Sequence, residues 1–177
     1  MKRESRLMEM LTGYAAAHQH PVNIAVHMVG IPCIMFGALV ALSWLTIGFM
    51  DVKINLAWLV LLGFFLFYLT LDAPFALVFL VVGAVMTVIA TQVGQLPLET
   101  SGSVAAATFI GGYVAQFIGH AIEKSQPVLL KHPIQANLAA PFFTVVEAFK
   151  LLGLRDDLFI QVQRRIAERR AEEAARH

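Results

Sequence analysis

Histidines are the residues of this chain with the clearest capacity for chemistry. His18, His20 and His27 lie close together near the N-terminus, and His120 lies far along the chain. Imidazole nitrogens bind zinc, iron, copper and nickel, and a carboxylate beside them favours a hard divalent ion. The spacing therefore makes these four residues candidate metal ligands. The other two histidines are predicted to be solvated loop or terminal residues: His132 and His177.

Two short polar patterns accompany the candidate ligands. Gln116 precedes His120 by four residues and Glu123 follows it by three, so a helix places all three side chains on one stripe. Asn23 and His27 form a second pair at the same four-residue spacing. Ionisable residues inside apolar helices usually face the interior of a bundle or a polar cavity. Asn23, Gln116 and Glu123 are therefore candidate catalytic residues that orient the histidines, and Glu123 is also a candidate ligand or general base.

The elements that must position these residues are apolar helices. The chain has 177 residues, of which 58% are hydrophobic and 14% charged, whereas soluble domains have about 25% charged residues. Runs of about 20 apolar residues span the hydrocarbon core of a bilayer. We predict four transmembrane helices, with Ser103 as the N-cap of the last, at residues 24–49, 54–71, 74–93 and 104–122.

The remaining segments are predicted to lie at the membrane surface or in solvent. Residues 1–20 have apolar side chains at helical spacing among charged ones, which is typical of an amphipathic interfacial helix. Residues 128–154 mix apolar and polar positions and contain prolines, which favours interfacial or half-inserted helices over the alternative of a fifth span. Residues 155–177 form a charged, solvated helix. The sequence thus predicts one all-α membrane domain over residues 1–177.

The distribution of basic residues predicts the orientation of this bundle. Of the 13 lysines and arginines, only Lys53 falls in the two predicted loops at residues 51–55 and 92–102. Short cytoplasmic segments are enriched in basic residues, so both termini are predicted to be cytoplasmic, at the inner membrane of a bacterium or the endoplasmic reticulum of a eukaryote. The first helix then enters from the side where the fourth leaves. His27 and His120 are therefore predicted to lie at the same level of the membrane.

Small residues beside the polar stripe predict close helix packing. Gly111, Ala115 and Gly119 recur every four residues along the predicted fourth helix. Such ridges let helices approach closely in lipid, and close approach is what a metal site shared between helices requires. The net charge of +1 gives no indication of a nucleic-acid partner.

Spacing alone leaves several readings of the histidines open. Histidines with open coordination positions are the pattern of ferrous oxygen chemistry, but zinc-dependent lipid hydrolysis uses the same residue types. Haem ligation by two histidines is a further alternative. The polar residues can also form a structural network, His27 with Asn23 and His120 with Gln116, in a membrane scaffold or small transporter without catalytic activity.

Three motifs together resemble a known family, and their order and spacing agree with it from about Gly13 to Leu154. The family is that of small membrane proteins, formerly a domain of unknown function, that includes the fungal 2-hydroxy fatty acid dioxygenase of phytosphingosine breakdown. The motifs are His18-Gln19-His20-Pro21-Val22-Asn23 with His27 and Ile31-Pro32; Gln116-Phe117-Ile118-Gly119-His120 with Glu123 and Pro127; and Ala140-Pro141 with Glu147.

The resemblance implies an iron(II)-dependent dioxygenase of alpha-oxidation, which uses O2 to convert a 2-hydroxy fatty acid into the acid one carbon shorter and CO2. His18, His27 and His120 match the motif histidines of the family, and the polar companions match as well. His20 stands where the fungal enzyme has a different polar residue, so its place among the ligands rests on spacing alone. The resemblance carries nothing beyond Leu154.

Overall fold

Helices form almost all of the ordered structure in the computed structural model, which describes residues 6–16, 18–49, 52–131 and 133–175. One two-stranded antiparallel hairpin interrupts them. His132, His177 and Asp51 lie outside the described residues. The elements in chain order are α1 (Arg6–Ala16), α2 (Pro21–Ser43), β1 (Thr46–Phe49), β2 (Val52–Asn55), α3 (Leu56–Leu69), α4 (Ala73–Gly94), α5 (Leu98–Glu123), α6 (Val128–Lys131), α7 (Pro133–Leu151) and α8 (Asp156–Ala174).

The all-α class and the bundle of apolar helices are confirmed. Three described helices, α2, α4 and α5, are long and apolar enough to cross a membrane, with 23, 22 and 26 residues. At 1.5 Å per residue each exceeds the roughly 30 Å of a hydrocarbon core. The predicted second span is shorter than expected, because α3 has 14 residues and measures about 21 Å. The pair α7 and α8 is apolar enough to add a fourth span but bends by 116°.

The first two predicted spans were wrong in the region that joins them. Helix α2 ends at Ser43, and β1 pairs with β2 in the register Thr46 to Asn55. This segment is rich in β-branched residues, which favour strands over helices. Asn55 then caps α3, its Oδ1 accepting a hydrogen bond from the Trp58 backbone N–H. Residues 52–55, which were predicted as part of a polar loop, therefore form the second strand of a hairpin.

The start of the helix that contains the fourth predicted span was also predicted wrongly. Helix α5 begins at Leu98, directly after Pro97, and not after Ser103. Ser103 lies inside the helix, where its hydroxyl donates to the Glu99 carbonyl at 2.6 Å. A serine hydroxyl can satisfy itself in this way within a helix, so it did not mark a boundary. The connection between α4 and α5 is correspondingly short, at residues 95–97.

Four glycines bring α2 and α5 into close contact. A Cβ on Gly112 would lie 2.7 Å from the Gly30 carbonyl oxygen, and one on Gly37 would lie 2.6 Å from the Ala105 carbonyl oxygen. Gly119 likewise approaches Asn23. Gly111, in contrast, has nothing within 4 Å of such a position. The predicted small-residue packing is therefore present, but its face is that of Gly112 and Gly119.

The C-terminal helices contribute more to the core than predicted. Helix α7 buries aromatic and branched side chains, among them Phe142, Phe143 and Val146, against α1 and α4. Val162 and Ile166 of α8 are buried in the same cluster. Neither segment is therefore simply interfacial or solvated, because each has one apolar stripe that packs on the bundle.

An ion pair ties the start of α8 to the start of α4. Asp72 caps α4 by accepting from the Phe75 N–H and also pairs with Arg155 at 2.8 Å. Asp72→Asn keeps a capping oxygen but removes the charge, so we expect a loss of at most about 1 kcal/mol. Asp72→Ala removes the cap as well and should cost about 1 kcal/mol more. Thermal unfolding in detergent compares them, and equal midpoints would contradict this division.

Candidate metal centre

Three elements bring three histidines together at one end of the bundle. His18 lies in the link after α1, His27 lies two turns inside α2, and His120 lies in the last turn of α5. The three are 3%, 1% and 4% exposed. One ring nitrogen from each lies within 4.8 Å of the others. The antiparallel course of α2 and α5 produces this convergence, as the topology argument from the sequence predicted for His27 and His120.

The imidazole rings are held by hydrogen bonds through Nδ1. Nδ1 of His18 lies 2.8 Å from the Tyr14 carbonyl oxygen, and Nδ1 of His27 lies 2.9 Å from the Asn23 carbonyl oxygen. Since a carbonyl only accepts, both Nδ1 atoms carry a proton and both Nε2 atoms keep a lone pair. Nδ1 of His120 shares a hydrogen bond with the Ser125 hydroxyl at 2.9 Å. Metal-binding histidines are typically oriented in this way by their second nitrogen.

His18 shows that the cluster suits a metal ion. Burial lowers the pKa of His18 to about 3, so the imidazole is neutral at physiological pH, which is the form that binds metals. Its Nε2 is buried without a hydrogen-bond partner. A buried polar atom without a partner is costly in a folded protein. A divalent cation would satisfy this lone pair, so the residues fit the metal that the resemblance implies.

Aromatic packing fixes the ring of His18 from the other side. Tyr14 stacks on it with ring centroids 4.1 Å apart and planes 6° from parallel. Tyr14 is four residues before His18, so both its ring and its carbonyl meet the imidazole. Tyr14 was not among the predicted site residues, although its four-residue spacing from His18 places both side chains on one face of a helix.

Glu123 and Asn23 hold the ligand-bearing elements together. Oε1 of Glu123 accepts hydrogen bonds from the backbone N–H groups of Gln19, at 2.7 Å, and His20, at 3.2 Å. Its Oε2 accepts from the side-chain amide of Asn23. A carboxylate at a helix N-terminus is stabilised by the free N–H groups and by the helix dipole. Glu123 therefore fastens the end of α5 to the link that carries His18.

The structure separates His20 from the other three candidate ligands. His20 is the N-cap of α2, and its Nδ1 accepts from the Val22 N–H at 3.2 Å. It does not belong to the group of convergent nitrogens formed by the described residues. Gln116 lines a cavity beside the three histidines. The predicted hydrogen bond between Gln116 and His120 is replaced by one between Nδ1 of His120 and the Ser125 hydroxyl.

A largely apolar cavity of about 330 Å³ adjoins the histidines. All three imidazoles line it, together with Gln116 and Tyr113, whose hydroxyl donates to Asn137 at 3.0 Å. Most other lining side chains are aliphatic or aromatic and come from α2, α3, α4, α5 and α7. Ligand sites typically combine such an apolar wall with a few convergent polar groups.

The third sequence motif contributes to this cavity in part. Pro141 and Ala140 line it. Glu147 lies elsewhere, buried between α1, α7 and α8 and paired with Lys150 at 3.2 Å. The hydrogen bond between Ser125 and His120 could not be predicted from the sequence. It depends on Lys124, which adopts a left-handed conformation with φ 55° and ends α5 without the usual glycine.

Ser125→Ala tests the role of the His120 hydrogen bond. We expect metal affinity to fall roughly 10- to 100-fold, because loss of the partner releases the ring orientation and tautomer. Metal titration with a competing chelator measures the change. Ser103→Ala is the matched control, since its hydroxyl bonds only within α5. Equal affinities in the two variants would contradict the role of Ser125.

Comparison with known proteins identifies the family of this chain. Residues 5–151 match the family described as "2-hydroxy-palmitic acid dioxygenase Mpo1-like". The chain is 26% identical over 148 residues to the "2-hydroxy-palmitic acid dioxygenase MPO1" of Saccharomyces cerevisiae, covering 83% of this chain and 82% of the relative. No solved structure matches. The chain therefore belongs to the Mpo1-like family of 2-hydroxy-palmitic acid dioxygenases.

Proposed function

We propose that this protein is an iron(II)-dependent dioxygenase that shortens 2-hydroxy fatty acids by one carbon. The observation that carries the proposal is the position of three oriented imidazoles at one end of an apolar cavity. His18, His27 and His120 would hold the ion. When bound, Fe(II) would supply O2 activation and Lewis acidity at the head group of the acid.

The name of the yeast relative favours oxygen chemistry over hydrolysis. Zinc is also bound by three histidines, as in carbonic anhydrase, so the ligand set alone does not distinguish the two metals. The reaction R-CHOH-COOH + O2 → R-COOH + CO2 + H2O balances in atoms and electrons without an external reductant. A ferrous site with open coordination positions would therefore need no reductase for this reaction.

The cavity residues would bind and orient the substrate. The acyl chain would lie against the aliphatic and aromatic lining and exclude water from the head group. Gln116, one helical turn from His120, would hydrogen-bond the carboxylate or the 2-hydroxyl. Glu123 and Asn23 are positioning residues, because their hydrogen bonds hold the link that carries His18.

Both termini are proposed to face the cytoplasm. Lys53, the exception among the basic residues, lies exposed on β2, at the opposite end of α2 from the histidines. The other basic residues lie before α2 or after residue 122, near the end of α5. By the positive-inside rule the metal centre is then near the cytoplasmic surface, and substrate acids would come from the surrounding lipid.

Metal analysis combined with an oxygen-uptake assay tests the proposal. Protein purified anaerobically in detergent should contain about one iron per three-histidine site and consume one O2 per CO2 released from 2-hydroxypalmitic acid. Stoichiometric zinc with lipid hydrolysis would overturn the iron assignment. Absence of any bound metal, after reconstitution with Fe(II) as well, would show that the histidines are structural.

A further inference from the structure

One wall of the cavity beside the histidines is formed by two helices that barely pack on each other. Helix α5 lies against α2, whereas α7 lies against α1, α2, α4 and α6. Among the described residues, α5 and α7 make no extensive contact, although both line the cavity. The hydroxyl of Tyr113 in α5 donates to Oδ1 of Asn137 in α7 at 3.0 Å and so joins the two helices across this wall.

This wall between α5 and α7 is thin. Among the described residues that line the cavity, the exposed ones all lie in these two helices: Phe109, Phe117 and Asn137. Phe109 and Phe117, one turn to either side of Tyr113, are 39% and 44% exposed. The lining residues of α2, α3 and α4 are all buried or half-buried, because other parts of the bundle pack behind them. In the thin wall, in contrast, single side chains separate the cavity from the surroundings of the protein.

The thin wall lies at the depth of the lipid acyl chains. Helix α5 has 26 residues and is apolar enough to cross a membrane, so it measures about 39 Å. Tyr113 lies about 15 Å before the end of this helix, well inside a hydrocarbon core of roughly 30 Å. Polar groups without partners are costly at that depth, so the hydrogen bond between Tyr113 and Asn137 favours the closed wall.

We propose that fatty acids pass sideways between the bilayer and the cavity, through the thin wall, and that the hydrogen bond between Tyr113 and Asn137 is the latch that closes this passage. The inference rests on the proposed function, since it takes a fatty acid as the occupant. Sideways passage keeps the acyl chain in an apolar medium throughout. A route through water would instead disfavour the chain about fourfold for each methylene that leaves the lipid.

Exchange of palmitic acid, which lacks the 2-hydroxyl group, tests the passage without turnover. Its association and dissociation rates are measured on the full chain in phosphatidylcholine nanodiscs. Tyr113→Phe keeps the ring at the cavity and removes the latch, so both rates should rise by the same factor. One neutral hydrogen bond corresponds to a factor of roughly 2 to 10. The Kd should stay unchanged, because the latch alters the barrier to passage and not the bound state.

Tyr68→Phe is the matched control for this variant. The Tyr68 hydroxyl also ties another helix to α7, donating to the Leu138 carbonyl at 2.8 Å, but Tyr68 is not among the residues that line the cavity. Exchange in Tyr68→Phe should therefore match the wild type. A changed Kd in Tyr113→Phe, without a parallel rise of both rates, would show that the Tyr113 hydroxyl binds the acid and would overturn the latch.

Two further variants keep the test decisive if Tyr113→Phe does not fold. Asn137→Ala removes the same hydrogen bond at an exposed position and should accelerate exchange equally. In a Cys33→Ala background, Tyr113→Cys and Asn137→Cys allow a reducible bifunctional thiol reagent to join α5 to α7. This cross-link should abolish exchange, and its reduction should restore it. Unchanged exchange in the cross-linked protein would overturn the passage. If exchange responds as expected while 2-hydroxy acids are not oxidised, the passage stands and the proposed reaction fails.

Discussion

Replacing His27 or His120 by alanine is expected to abolish stoichiometric iron binding and to reduce turnover of 2-hydroxypalmitic acid by more than about 100-fold. Loss of even an outer-shell partner costs 10- to 100-fold in metal affinity, so loss of a ligand should exceed that range. The two residues lie on different helices, and their rings are 4.9 Å apart. Equal loss of metal in both variants would establish that α2 and α5 share one site. Elemental analysis and oxygen uptake measure the two quantities.

His20→Ala is the matched control for these variants. It removes an imidazole from the same region, but one that caps α2 and lies outside the convergent group. Loss of a cap should lower stability by about 1 kcal/mol and leave metal content unchanged. Iron loss in His20→Ala, or retention of iron and activity in His27→Ala, would contradict the assigned ligand set.

Gly112→Ala is expected to destabilise the interface between α2 and α5. The added Cβ would meet the Gly30 carbonyl oxygen at 2.7 Å and Cγ1 of Ile34 at 2.6 Å. Because one of these atoms is backbone, α2 and α5 must separate, at a cost of about 1–3 kcal/mol. The separation would also move His27 away from His120, so metal affinity should fall together with the thermal unfolding midpoint in detergent.

Gly111→Ala, one residue earlier, should have the opposite sign. The position is exposed and open, with nothing within 4 Å of the new atom. Alanine is favoured over glycine in a helix by up to about 1 kcal/mol, so stability should be unchanged or slightly higher. Similar unfolding midpoints for the two variants would show that the close approach of the helices contributes little.

The parts of the fold that were predicted correctly are those that hydrophobic periodicity and the distribution of charge determine. Helix α4 was predicted to within a residue at each end, because Asp72 and Pro74 mark its start and an unbroken apolar run follows. The convergence of His27 with His120 followed from the order of the helices alone. Elements whose structure depends on pairing with another segment were harder to predict from the sequence. The hairpin that begins at Thr46 was missed because its first strand continues an apolar run that is equally compatible with a helix.

The less predictable part of the site depends on side chains at element ends. Glu123 was identified as a companion of His120, but its actual contacts are backbone N–H groups of the N-terminal link, more than 100 residues away. The burial of α7 was missed because Pro133 and Pro141 suggested a broken surface segment. Both prolines are accommodated, one at the start of the helix and one within it.

The hydrogen bonds that orient the three imidazoles differ in how they respond to mutation. Those of His18 and His27 end on main-chain carbonyls of residues 14 and 23. No substitution at either position deletes a carbonyl, so these two hydrogen bonds persist after a change of side chain as long as the helix persists. The His120 bond ends on a hydroxyl and is lost with a single substitution at Ser125. Of these three hydrogen bonds, the one to His120 is therefore the one that a single side-chain substitution at its partner removes.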